Sequence, residues 1–200
     1  VLFRSLAVDG DLELSGNYAS GSHLKFYPVR EIDPHTVITP DGAQYSQHTA
    51  GLPLFVLPAY TLAGRWGVTL ALAALAAGLL SVLHRLCRLG ASPRSALVTC
   101  VALGTSSPLL FSSTLVFTEV AAAALTGLAL CRLGSSQVVA TCAAALPWLH
   151  PRYALLSAGL AALHWYRQGT HDMRRHVPVW LIAGALSGGV FMSVYHGPAL

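Results

Sequence analysis

The chain has 200 residues, 54% hydrophobic and only 10% charged, a balance outside the range of an ordinary soluble domain. Six of its eight acids (Asp9, Asp11, Glu13, Glu31, Asp33, Asp41) fall within the first 41 residues, while the later basic residues are almost all Arg set between apolar runs. The net charge of +4 therefore speaks to membrane topology and not to nucleic-acid binding, and the expected fold is an all-α polytopic membrane protein.

Residues 1 to about 51 are polar and carry turn formers at Asp9-Gly10, Ser15-Gly16-Asn17, Asp33-Pro34 and Asp41-Gly42. That predicts a folded loop with a short hairpin. With the apolar "LFVLPAY" that follows, residues 1–57 form an extracytoplasmic loop and interfacial segment, and residues 58–200 a transmembrane helical bundle. A helix rises about 1.5 Å per residue, so roughly 30 Å of hydrocarbon takes about 20 apolar residues. A first span is expected over about 66–86. It ends in "HRLCRLGASPR", where Arg85, Arg88 and Arg94 mark a cytoplasmic turn and Pro93 opens the next helix. Residues 95–111 return outward until "GTSSP" breaks the run, and 116–133 come back in, closed by Arg132. Pro147 and Pro151 interrupt the next stretch, so 137–163 is expected as a re-entrant hairpin with both ends cytoplasmic, two conventional spans being the alternative. A last span covers 177–195, with Gly184 and Gly188 spaced for helix contact.

Ionisable groups inside a membrane are costly and mark function by default. Glu119, about one turn inside its helix and flanked by Ser112, Ser113, Thr114 and Thr118, is one candidate, with a carboxylate snorkelling at the interface as the plain reading. Arg152 in "LPWLHPRY" is another, because a guanidinium in a broken hairpin needs a carboxylate, phosphate or carbonyl. His150 beside it could share either role. In "VDGDLEL", Asp9 and Asp11 point roughly together if the backbone is extended, which would suit a divalent cation (Mg or Mn) or one carboxylate raising the other's pKa. No cofactor beyond such a cation is expected. His23, His35 and His48 lack zinc-ligand spacing, and Cys87, Cys100, Cys131 and Cys142 are scattered singly as small core residues. Lys25, Arg30 and Arg65 are available phosphate partners at the loop and rim.

The segments "RSLAVDGDLELSGNYA", "DGAQYSQHTAGLPLFVLPAYTLAGRWG", "TLVFTEVAAAAL" and "LPWLHPRYALL", in that order, resemble a bacterial group of polytopic membrane proteins related to the GT-C superfamily of glycosyltransferases. The likeness is to the dolichyl-phosphate-mannose protein mannosyltransferase and aminoarabinose transferase type in particular. The resemblance implies a multi-pass protein of the bacterial inner membrane that takes a sugar from a polyprenyl-phosphate carrier at the outer face. The acceptor would be a lipid, glycan or protein. It implies an acidic residue in the first outer loop as base, a position Asp9 or Asp11 could match, and acidic and basic positions matched by Glu119 and Arg152. It also sets a further acidic pair upstream of residue 1, and the chain reads as a piece of a longer protein.

"YSQHTAGLPLFVLPAY" then becomes the place where the loop folds onto the membrane rim. Gly51 lets the backbone turn, Tyr45 and His48 face a polar pocket, and Arg65 and Trp66 open the first span at headgroup depth. A lipid-linked donor needs such a junction, since its phosphate sits among headgroups and its tail in hydrocarbon. The expected division of labour puts Asp9 or Asp11 with His48 near the acceptor hydroxyl, Arg65 or Arg152 toward the phosphate, and Glu119 along the cavity. The competing classes are a secondary transporter, for which no internal repeat is found here, and a non-catalytic subunit that binds polyprenyl lipid.

Overall fold

The computed structural model describes residues 1–25, 33–40 and 42–168, together with Trp180 and Gly184. The described chain is mostly helical and falls into two compact units, Val1–Ala73 and Ala74–Leu200. The expected span over 177–195 lies outside the described residues, apart from those two positions.

In the first unit, α1 (Leu2–Val8) buries Leu2 and Ser5 and stops at Asp9, whose N–H returns to the Ser5 carbonyl. Gly10, with φ +75°, turns the chain where a side chain would be strained. A short α2 (Ser15–Ala19) and a 3-10 turn (Ser22–Lys25) follow. Then β1 (Thr36–Ile38) pairs antiparallel with β2 (Gln44–Ser46), Val37 opposite Tyr45. This is a short hairpin of the kind the turn residues predict, and Gly42 at φ +87° sits in its loop. Glu13 fastens the hairpin to the N-terminal segment: its Oε1 accepts from the Gln44 and Ser15 backbone N–H groups, both at 2.9 Å. The Gln44 N–H in particular holds its carboxyl below the usual glutamate value.

The long helix α3 (Gly51–Cys87) is the one described helix long and apolar enough to cross a membrane. It is not one rod. Ala63 and Gly64 leave helical geometry, Gly64 at φ 55° and ψ −138°, a region reserved for glycine. The two legs come so near each other that a Cβ on Gly67 would lie 1.9 Å from the Ala59 carbonyl oxygen. The bend therefore falls at Ala63-Gly64 and not at Gly51, which is an ordinary first residue of the helix with no positive φ. Residues 65–87 alone rise about 34 Å, enough for one crossing without the first leg.

The second unit is a set of antiparallel helices. α4 (Pro93–Gly104) starts on a Ser92 cap that accepts from the Ser95 N–H, with Pro93 in the first turn, where its missing donor costs nothing. It runs back along α3, so that Gly104 meets Leu80 and the Cys100 thiol faces the Leu80 carbonyl. The expected outward run over 95–111 is broken at Thr105-Ser106, after which α5 (Ser107–Ser112) continues. α6 (Thr118–Cys131) runs parallel to the end of α3: Val120 packs with Ala76 and Leu79, and Gly127 lies against Val82 and Leu86. α7 (Ser136–Leu149) returns beside α6, and α8, residues 154–168, comes back again after a 3-10 turn at Pro151–Tyr153. Ser157 Oγ donates to the Ala143 carbonyl at 2.6 Å, tying α8 to α7. At the far end His164, fully buried, lies 2.7 Å from the Leu133 carbonyl through Nδ1 and 2.9 Å from Ser136 Oγ through Nε2. Those bonds serve two groups that the α6–α7 turn would otherwise leave unpaired.

Candidate functional site

The cluster at the other end of the second unit is built by two helix ends. α6 begins after Phe117, an extended N-cap with no side-chain bond, so its first-turn N–H groups and the positive end of its dipole favour the carboxylate of Glu119. α7 cannot run past Leu149, because His150 precedes Pro151 and is held extended, at φ −169° and ψ 139°. His150 Nδ1 then accepts the Arg152 backbone N–H at 3.2 Å and closes the 3-10 turn. This tip sets Arg152 beside the start of α6.

Arg152 Nη2 donates to Glu119 Oε1 in an ion pair, to the Tyr153 hydroxyl at 2.9 Å, and more weakly to Thr118 Oγ1 at 3.5 Å. Thr118 and Tyr153 are themselves joined at 3.2 Å. The guanidinium carbon stands 4.9 Å from the Tyr153 ring centroid, and His150 meets that ring edge-on at 6.3 Å. The ion pair is open: the side chains of Arg152 and Glu119 are 51% and 52% exposed. Among the described residues, Nε and Nη1 of Arg152 bond to nothing. Three residues singled out from the sequence, Glu119, His150 and Arg152, thus come together. Tyr153 was passed over; its only signal was its place beside Arg152 in a proline-broken turn.

The first unit treats its candidates differently. The extended backbone that would pair Asp9 with Asp11 is absent: Asp9 is in helical geometry at the end of α1, and Gly10 turns the chain between them. Asp9 Oδ2 accepts from Asn17 Nδ2 at 3.0 Å and lies 3.7 Å from Arg4. Asp11 Oδ1 accepts from the buried Ser5 hydroxyl at 2.8 Å. Each carboxylate gives one oxygen to local structure. Tyr45 is half-buried in β2 and bridges to Glu13, while His48 is exposed with its ring 6.0 Å from that of His35. Arg65 stands exposed just after the break in α3. Among the described residues, no three His, Cys, Asp or Glu side chains gather as a metal ion would require.

Compared with protein-family models, curated proteins and solved structures, the chain matches none.

Proposed function

We propose that the chain belongs to a multi-pass protein of a bacterial inner membrane, a GT-C-type glycosyltransferase that moves a sugar from a polyprenyl-phosphate donor to a lipid, glycan or protein acceptor at the outer face. The observation that carries this reading is the Arg152–Glu119 cluster and its place in the second unit. Arg85, Arg88 and Arg94 flank the α3–α4 turn, Arg132 the α6–α7 turn, and Arg167 the end of α8, all at the end opposite the cluster. The positive-inside bias assigns that basic end to the cytoplasm and the cluster to the outward side.

Depth supports the same reading. With 14 residues each, α6 and α7 rise about 21 Å, short of roughly 30 Å of hydrocarbon. If their basic end sits at the inner interface, Glu119 and Arg152 lie below the outer edge of the hydrocarbon, where each charge needs the other. Around them large apolar side chains face outward, Phe111 at 66% exposure and Leu155 at 86%, as lipid contact would favour. A polyprenyl phosphate, anionic at its head and apolar in its tail, suits such surroundings. In the transfer step, Arg152 and the Tyr153 hydroxyl would hold the charge that grows on the departing phosphate. Asp9 or Asp11, with His48, would take the acceptor proton, either carboxylate acting through the oxygen not bonded to Asn17 or Ser5.

The test is transfer from a polyprenyl-phosphate-linked sugar by the full-length protein in proteoliposomes. Arg152→Gln should lower transfer about tenfold or more; unaltered transfer refutes the assignment. A second reading, a polyprenyl-lipid-binding subunit without turnover, is favoured by one observation: Asp9, Asp11 and Glu119 are all engaged by neighbours. Lipid binding that depends on Arg152, with no transfer by the wild type, would select it.

A further inference from the structure

The reading of Arg152 as the phosphate's partner leaves the role of Glu119 open, and the geometry points to an answer that departs from a catalytic acid or base: we infer that Glu119 is a positioning counter-ion, which aims the Arg152 guanidinium and partly neutralises it until a phosphate monoester or diester arrives. Glu119 spends Oε1 on Arg152 Nη2, the same nitrogen that serves Tyr153 and Thr118. Among the described residues, the guanidinium's hydrogen bonds therefore all fall on one nitrogen. A guanidinium carries five N–H donors, and among the described residues the three on Nε and Nη1 make no hydrogen bond, in a residue half open to its surroundings. Nε–H and Nη1–H lie on different edges of the guanidinium, each edge completed by Nη2, so a phosphate oxygen can be taken by either of these charged donors singly.

Glu119 does two opposed things to that anion site. Its hydrogen bond, together with the Tyr153 ring beneath the guanidinium, fixes where the remaining donors point. Its negative charge, within a few ångströms of where a phosphate would sit, opposes the phosphate. The first effect needs only an acceptor oxygen; the second needs the charge. Glutamine separates them, because its amide oxygen accepts the same bond without the charge, whereas alanine removes both. A proton-transfer role predicts something else, since a base loses function equally with either substitution and has no reason to weaken ground-state binding of a phosphate.

The experiment measures binding of farnesyl phosphate to the full-length protein in detergent micelles, with thermal unfolding recorded for each variant. Glu119→Gln should bind about three- to tenfold more tightly than wild type, Glu119→Ala no more tightly than Glu119→Gln, and Arg152→Gln at least tenfold more weakly. If Glu119→Gln binds as wild type does or more weakly while Arg152→Gln still loses binding, the counter-ion role is overturned and the phosphate reading of Arg152 survives. If Arg152→Gln binds as wild type does, or none of the proteins binds, the phosphate reading fails and the counter-ion role falls with it. A Tyr153→Phe variant that folds and loses binding severalfold supports the same anion corner, whereas unchanged binding removes Tyr153 from it.

Discussion

Replacing Gly67 by Ala places a methyl group where the two legs of α3 meet. The added Cβ would lie 1.9 Å from the Ala59 carbonyl oxygen, 2.7 Å from the Ala59 carbonyl carbon and 3.3 Å from the Ala63 Cβ. Carbon and carbonyl oxygen come no closer than about 3.3 Å in even the tightest favourable contacts, so the legs must part by about 1.4 Å. Overpacking costs about 1–3 kcal/mol where side chains can yield. Here the obstacle is backbone, so the upper end, about 3 kcal/mol, is expected. The chain can relieve the clash by opening at Ala63-Gly64. Spin labels at Leu54 and Leu70, both exposed, read this directly: across an unbroken helix those positions would be about 24 Å apart, and the bend brings them closer. In Gly67→Ala the distance should lengthen toward the straight-helix value and thermal stability should fall. Gly78→Ala, where nothing lies within 4 Å of the added Cβ, should leave the distance unchanged and raise helix stability by up to about 1 kcal/mol. If Gly67→Ala matches wild type in both distance and melting temperature, the close approach of the legs is wrong.

Gly127→Ala should cost about 1–2 kcal/mol, because its Cβ would lie 2.5 Å from Val82 Cγ1; Val82→Ala in the same chain should restore most of that, read as coupling in a double-mutant cycle of thermal unfolding. Glu13→Ala should speed hydrogen exchange of the Gln44 and Ser15 amides by about tenfold, a change worth about 1.4 kcal/mol. The folded carboxyl lies below its ordinary value, so its contribution is complete above the unfolded pKa near 4.3 and is lost as pH falls through the folded value. Protection of the wild-type Gln44 amide, corrected for intrinsic exchange, should therefore drop on acidification below about pH 4.3, and in Glu13→Gln it should not.

Turn chemistry carried over into local structure, because it acts within a few residues, and so did Pro93 and Pro151; Pro147, expected to interrupt the chain, instead lies inside α7 in its last turn. Gly42 sits in the hairpin loop, Pro93 in the first turn of α4 and Pro151 at the end of α7, each where backbone sterics puts it. The break in α3 was not visible in the same way. The sequence offers Gly51 as the turning point, yet the bend depends on Gly64 adopting a positive φ and on Gly67 accepting the Ala59 backbone. The second condition is a contact between residues eight apart, which helical periodicity gives no means of anticipating. His164 shows the same gap. Its burial against Ser136 and Leu133 follows only once α6, α7 and α8 are packed.

The two halves of the expected site fared differently because they were reasoned differently. Glu119 and Arg152 were chosen on a cost: a charge among apolar residues must find a partner, and that demand holds in any packing. Each turned out to satisfy the other, 33 residues apart in the chain. Asp9 and Asp11 were chosen on an assumed conformation, an extended Asp-Gly-Asp, and an Asp-Gly pair serves at least as readily to end a helix and turn. Here it does so, and Asn17 and Ser5 take up the two carboxylates. The consequence bears on mechanism. If a base near the acceptor comes from Asp9 or Asp11, Asn17→Ala and Ser5→Ala are informative: each removes the partner of one carboxylate oxygen without altering the carboxylate's charge. Transfer that rises or holds in one of them, and is abolished by the matching Asp→Asn, would identify the working acid.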